Sequence, residues 1–190
     1  MAKLALLTLL MLCLVPIARA QTPSVTLDSN AAFYQGEELN YIFYPPRGFR
    51  MVDDEAVQDG YSFAFVPSEA DYDTTDILIG VNIFKIRGMT FAEALKIDTT
   101  SVRKHYGPDA TILPVESIYT GSGQPITTFY INNLSTFLPN VMMSYFDGGS
   151  EMLIFELVIT DRVLKFEAEK TYISCLEHFK ALPVGELGSR

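Results

Sequence analysis

The sequence predicts an α+β fold in which an antiparallel β-sheet of about six or seven strands is covered by two main helices. Residues 77–86 and 152–159 carry apolar side chains on both faces, with Glu156 as the exception, and this pattern is typical of central strands. Residues 90–106 and 164–182 have apolar side chains at helical spacing. Because an amphipathic helix must bury its apolar face, both helices are expected to pack on the sheet.

The first 20 residues predict a secretory signal peptide. Lys3 provides a positive charge, residues 4–15 form an uncharged apolar run, and Ala18-Arg19-Ala20 is an A-x-A cleavage site. The run is shorter than the roughly 20 residues that span a bilayer. The bulky Leu12 before Cys13 argues against a lipoprotein. We therefore expect an exported protein, periplasmic in a bacterium or secreted.

Cleavage after the first 20 of the 190 residues leaves 170, which suits one globular domain, residues 21–190. We expect residues 21–38 to be an irregular lead-in that can hold a short strand near residues 25–27, and residues 183–190 to be a loose tail. Loss of Lys3 and Arg19 changes the net charge from −9 to −11, which argues against nucleic-acid binding. No second long apolar run follows, so the mature chain is expected to lack a transmembrane segment. Its one remaining cysteine excludes an intrachain disulfide.

The first strands are predicted to form a hairpin. Residues 39–44 are rich in β-formers and end at two prolines, and residues 61–66 alternate with period two. This alternation predicts that Tyr61, Phe63 and Phe65 share one face.

The helix over residues 90–106 has a well-defined start. Thr90 and Glu93 form a T-x-x-E capping box, and the apolar stripe includes Phe91, Ala94 and Val102.

An antiparallel meander is predicted between the two helices. Pro114 predicts that its first strand is an edge or bulged strand. Asp147-Gly148-Gly149-Ser150 predicts a tight turn. Met142 and Met143 lie on opposite strand faces, where core filling is favoured over an adaptable binding surface. The four predicted strands are residues 111–119, 126–132, 140–146 and 152–159.

Two motifs resemble those of a known family. Residues 41–49 read YIFYPPRGF, an aromatic strand followed by a Pro-Gly-aromatic corner, and Phe91-Ala92-Glu93-Ala94 begins the predicted helix. With the order of elements, these motifs resemble the Mog1/PsbP-like superfamily, which includes PsbP and exported DcrB-type accessory proteins. The resemblance implies an α/β/α sandwich and a non-enzymatic role in binding or assembly. The double proline with Arg47 departs from the family pattern, and no functional residue is transferred.

Common catalytic motifs are missing from the sequence, and we expect no enzyme activity and no cofactor. Cys175 and His178 lie three residues apart, but Cys175 falls on the apolar stripe of its helix, where a thiol is a small hydrophobe. His105 lies two turns from Asp98, too far for a direct pair. Its expected role is at the helix C-terminus, where a cation is favoured.

The acidic loop at residues 69–76 has two interpretations. Asp71, Asp73 and Asp76 could offer oxygens to Ca²⁺, but the loop lacks the glycine and distal glutamate of an EF-hand. A solvated loop that protects a sheet edge is favoured, and calcium binding stays open. Asn133 begins an N-x-S sequon, which is meaningful only in a eukaryotic secretory pathway.

The leading functional hypothesis is an exported, non-catalytic binding or accessory protein that contacts an envelope protein or uses a pocket at the sheet rim. The candidate partner-binding residues are Arg47, Phe49 and Arg50, at a cationic corner of an acidic protein. The first alternative is a carrier of a small apolar ligand, held beside Tyr61, Phe63 and Phe65. The second alternative is a hydrolase, which requires a histidine within reach of a serine or cysteine in a cleft.

Overall fold

The computed structural model describes residues 25–28, 31–107, 110–133, 141–160 and 165–185. The predicted signal peptide and the last five residues of the predicted tail lie outside these ranges. Three helices, α1 (Asp54–Gln58), α2 (Phe91–Tyr106) and α3 (Lys165–His178), and a short 3₁₀ helix at Tyr72–Thr74 occur in the described part of the chain. Its strands are β1 (Val25–Asp28), β2 (Ala31–Gln35), β3 (Leu39–Phe43), β4 (Phe49–Val52), β5 (Phe63–Pro67), β6 (Ile77–Lys85), β7 (Ala110–Pro114), β8 (Ile118–Tyr119), β9 (Pro125–Asn133), β10 (Val141–Asp147), β11 (Glu151–Ile159) and β12 (Lys180–Pro183).

A large antiparallel sheet dominates the fold, which confirms the predicted α+β class. Its strand order is β4-β5-β6-β11-β10-β9-β7, and β8 pairs with β9 outside this path. The two doubly apolar segments are the adjacent strands β6 and β11, paired over nine residues. They occupy the interior of the sheet, as predicted. β7 is an edge strand, and Pro114 is its last residue.

A second, four-stranded sheet with the order β1-β2-β3-β12 was not predicted. The lead-in is more regular than expected: β1 agrees with the short strand predicted near residues 25–27, whereas the strand at residues 31–35 was not predicted. The last predicted helix is also too long. It ends at His178, and Lys180–Pro183 pairs with β3 instead. Phe179 and Leu182 fit the helical spacing, and the Phe179 N–H still donates to the Cys175 carbonyl at 3.1 Å. Leu182, in contrast, pairs with Asn40 at the free edge of β3, where ladder hydrogen bonds are available.

The segment between Tyr44 and Phe49 is a crossing between the two sheets, so the predicted hairpin is wrong. β3 pairs with β2 and β12, whereas β5 pairs with β4 and β6. Proline has no N–H to donate to a ladder, so Pro45 and Pro46 end β3 and allow the chain to change sheet.

The large sheet is buried on both faces. On one face, Leu153 and Phe155 pack with Tyr172 of α3 and with the aromatic side chains of the small sheet. On the other face, Ile154 packs with Val102 of α2. The small sheet therefore covers the large sheet on the same face as α3. The prediction that two helices cover the large sheet did not include this second sheet.

Phe179 lies within the aromatic cluster on the α3 face. Its ring centroid is 5.1 Å from that of Phe43 and 5.2 Å from those of Phe146 and Phe155. Met142 and Met143 are buried on opposite faces, in agreement with the core-filling interpretation.

The start of α2 is as predicted. The Thr90 N–H donates to Glu93 Oε2 at 2.8 Å, and the Glu93 N–H donates to Thr90 Oγ1 at 3.3 Å. Within the described ranges, no helix has both the length and the apolar character needed to cross a membrane.

Candidate functional site

The corner that joins the two sheets is a tight turn with Arg47 at its apex. The Phe49 N–H donates to the Pro46 carbonyl at 2.9 Å, and Gly48 has φ +81°. A positive φ at the third position is the mark of a type II turn, which places Arg47 at the second position. Arg47 is exposed, and it forms no hydrogen bond or ion pair with the described part of the chain.

The other two predicted residues are held by the fold. Phe49 is half-buried against the main core, in agreement with the large apolar area of its ring. The Arg50 guanidinium donates to the Ala70 carbonyl at 3.1 Å, so it ties β4 to the acidic loop. Of the three predicted partner-binding residues, the geometry leaves Arg47 best placed to reach another molecule.

A second cation lies beside Tyr44, the residue that precedes the two prolines of this corner. Lys180 of β12 pairs with Ile42 of β3, and its Nζ atom lies 5.7 Å from the ring centroid of Tyr44. Tyr44 is half-buried and Lys180 is exposed. We call Tyr44, Arg47 and Lys180 the basic corner. Sequence reasoning missed Lys180 because the segment was interpreted as helix, and no local signal indicates that it pairs with β3.

A different site lies between α2 and the large sheet, where Glu156 projects from the interior strand β11. The Tyr61 hydroxyl donates to Glu156 Oε2 at 2.9 Å. Gly80 is the cross-strand partner of Glu156 on β6, and a Cβ atom there would lie 2.2 Å from Tyr61 Cε1. The missing side chain therefore allows the Tyr61 ring to cross β6 and reach the carboxylate.

Asp98 approaches the same region from α2. The Tyr145 hydroxyl donates to Asp98 Oδ2 at 2.7 Å and lies 3.7 Å from Met143 Sδ. Met143 is the cross-strand partner of Glu156 on β10. Two carboxyl groups thus converge between helix and sheet, each with a tyrosine hydroxyl as donor. We call Glu156 and Asp98, with Tyr61 and Tyr145, the acid pair.

The acid pair is set in a poorly solvated environment. Burial raises the pKa of Glu156 to about 7, against the hydrogen bond from Tyr61, and the charge of Asp98 adds to the increase. Burial also raises the pKa of Asp98, although the hydrogen bond from Tyr145 opposes this. Neither carboxylate forms an ion pair with a cation among the described residues. Glu156 therefore keeps its proton up to near neutral pH, beside a second carboxyl group whose pKa burial also raises.

The sequence contains a signal for each carboxyl group of the acid pair, but neither signal was interpreted as part of a site. Glu156 is the exception in a doubly apolar strand. Asp98 lies four residues after Ala94 and four before Val102, and so on the buried stripe of α2. Asp98 accepts its hydrogen bond from Tyr145 of β10. The side chain of His105 lies outside the described part of the chain.

A third carboxylate, Glu151, joins the two sheets. It is fully buried and accepts hydrogen bonds from the Tyr41 hydroxyl at 3.0 Å and the Tyr34 hydroxyl at 3.4 Å. A Cβ atom at Gly36 would lie 2.2 Å from Glu151 Oε2, so glycine provides the space. Burial raises the pKa of Glu151, and both tyrosine hydrogen bonds oppose this. This group fixes the small sheet on the large one.

The predicted site of an apolar carrier is filled by the core. Phe63 and Phe65 are fully buried, and the Phe63 ring centroid lies 4.9 Å from that of Phe43. Tyr61 does not share their face, because β5 begins only at Phe63 and the chain turns Tyr61 toward Glu156.

The side chains considered for hydrolysis are poorly suited to it. Cys175 is buried, and burial raises the pKa of its thiol to about 12. His178 is exposed, and its Nδ1 lies 2.7 Å from the Ser174 carbonyl oxygen and 3.4 Å from Ser174 Oγ. A carbonyl oxygen only accepts, so Nδ1 holds a proton and cannot take one from the serine.

The acidic loop is anchored by the buried Tyr72, and the Thr160 hydroxyl donates to Asp76. Within the described part of the chain, no group of three or more His, Cys, Asp or Glu side chains is placed to hold a metal ion. The proposed calcium ligands Asp71, Asp73 and Asp76 therefore stay a prediction. The side chain of Asn133 and the rest of its sequon lie outside the described residues.

No protein-family model matches the sequence, and no curated protein matches it. Its fold is similar to the solution structure of cyanobacterial PsbP (CyanoP) from Synechocystis sp. PCC 6803. That match has a TM-score of 0.50 and 15% sequence identity, and it covers 87% of this chain and 99% of the other. At this identity the likeness concerns the fold alone. The resemblance seen in the sequence is confirmed at that level, because the chain has a PsbP-like fold.

Proposed function

We propose that this chain is an exported, non-catalytic accessory protein that binds an acidic segment of a protein partner at the basic corner. The observation that supports this is the exposed Arg47 at the apex of a glycine-stabilised turn, without a partner in the described part of the chain. A surface arginine commonly solvates or pairs locally, and Arg50 of the same segment does so.

The basic corner suits an anionic group for electrostatic and geometric reasons. The chain has a formal net charge of −9, so its overall field repels acidic partners and contact depends on local cations. Arg47 offers a planar guanidinium that can pair with a carboxylate through two hydrogen bonds. Lys180 adds a second charge beside the Tyr44 ring. The turn is already formed, which lowers the entropy cost of binding.

Export is supported by the predicted signal peptide, with its positive start, apolar run and A-x-A site. The compartment is the periplasm in a bacterium or the extracellular space. A non-catalytic role is supported by the buried, weakly acidic thiol of Cys175 and by the engaged Nδ1 of His178.

The test is a comparative pull-down of the mature protein from an envelope extract of its own organism. Four baits are used: the wild type, Arg47→Ala, Lys180→Ala and the control Arg103→Ala. Arg103 is exposed on α2, so the control removes the same charge from another surface. We expect at least one protein to be retained by the wild type and the control, and reduced at least tenfold with the two corner variants.

The recovered protein is then purified and titrated with each bait at two salt concentrations. Affinity that falls with salt and with Arg47→Ala supports the proposal, because exposed charge pairs are screened. Equal retention by all four baits would refute the basic corner as the binding surface.

A further inference from the structure

The acid pair lies beneath a helix that is less deeply buried than α3, since its Phe91, Leu95 and Tyr106 pack on the core but are only partly buried. Among its described side chains, only Ala94 and Val102 of the 16-residue helix α2 are buried. In contrast, α3 buries four side chains, two of them large: Ala168, Tyr172, Cys175 and Leu176. Elements with few buried apolar contacts open at the lowest free-energy cost.

The acid pair adds a polar contact to this helix. Asp98 of α2 reaches Tyr145 of β10, and Glu156 projects from β11 on the same face of the sheet. When one carboxyl group is protonated, the contact contains a single negative charge. When both are ionised, two like charges face each other where burial disfavours each of them.

From this geometry we propose that helix α2 is a pH-sensitive element, which packs on the sheet while the Glu156–Asp98 pair holds a proton and opens locally when both groups ionise. The proposal is independent of the basic corner, which lies at the joint between the sheets.

The groups that face Glu156 do not supply a compensating charge. Tyr61 precedes β5 and donates to it, Asp98 and Tyr106 come from α2, and Tyr145 comes from β10. Burial raises the pKa of each of these tyrosines well above the physiological range, so they stay neutral. The one change in this cluster between pH 6 and 8.5 is therefore the loss of a carboxyl proton.

The experiment is amide hydrogen exchange of the intact mature protein from pH 6 to pH 8.5, expressed as protection factors. For a carboxyl with a folded-state pKa of about 7, the closed form of α2 should weaken about tenfold over this range. We expect the amides of α2 to lose about tenfold in protection and to stay less protected than those of α3 throughout, because α2 opens without the rest of the fold. Glu156→Gln should remove this pH dependence, and Asp98→Asn should reduce it.

Glu151→Gln is the matched control, since it removes a buried carboxylate from the same strand at a position that contacts the small sheet. It should leave the pH dependence of α2 protection unchanged. The wild-type data alone can overturn the proposal, whether or not the variants fold. Protection of α2 that is constant with pH would do so, and so would protection of α2 as high as that of the slowest-exchanging core strands, which indicates that α2 opens only in global unfolding.

Discussion

Replacement of Glu156 by glutamine should stabilise the protein at alkaline pH. Burial and the charge of Asp98 raise the pKa of Glu156 from its usual 4.5 to about 7. Between these values the folded chain keeps a proton that the unfolded chain has lost, so the free energy of unfolding falls as the pH rises. A pKa difference of about 2.5 corresponds to about 3.5 kcal/mol, at about 1.4 kcal/mol per unit. Solvent reaching the half-buried side chain makes this an upper value.

Glutamine cannot ionise, and its amide oxygen can still accept the hydrogen bond from Tyr61. At pH 8, Glu156→Gln should therefore be more stable than the wild type by up to about 3.5 kcal/mol, and the two should converge below about pH 4.5. Urea unfolding at several pH values measures the difference. Glu69→Gln, which removes a carboxylate from the exposed loop, should follow the wild-type profile. Parallel pH profiles for Glu156→Gln and the wild type would refute the reasoning.

Three further substitutions test the close contacts around the buried carboxylates. Gly80→Ala should lower the free energy of unfolding by about 3 kcal/mol, because the new methyl group displaces the Tyr61 ring. If urea unfolding shows no loss of stability, the Tyr61 ring does not cross β6 at this position. Tyr41→Phe should cost about 2 kcal/mol in the same assay by removing a donor to the buried Glu151, and the longer bond of Tyr34 predicts a smaller loss for Tyr34→Phe. The reverse order of these two losses would count against the assigned geometry.

Sequence reasoning succeeded where the information is local. The two doubly apolar strands and the capped helix α2 each follow from a pattern within one segment. The small sheet follows no such pattern. Its strands have four or five residues, and β3 is joined to β12 across about 140 residues of chain. Short strands that are completed by a distant partner leave little trace in hydrophobic periodicity.

The same difference between local patterns and long-range contacts applies to the candidate sites. Arg47 could be predicted from its proline-rich, glycine-containing corner. Lys180 could not, because its position beside Tyr44 depends on the pairing of β12 with β3. Asp98 was noticed, but its hydrogen-bond partner comes from a strand 47 residues later.

The pairing of β12 with β3 also affects the order in which the chain can fold. During synthesis the N-terminal part appears first, and β3 keeps a free edge until residues 180–183 are available. Phe179, which contacts four other aromatic rings in the core, arrives at the same late stage. The aromatic core therefore cannot be completed on a nascent chain that lacks these residues. Because long-range contacts are slow to form, the union of β3 with β12 is expected to be a late step in folding.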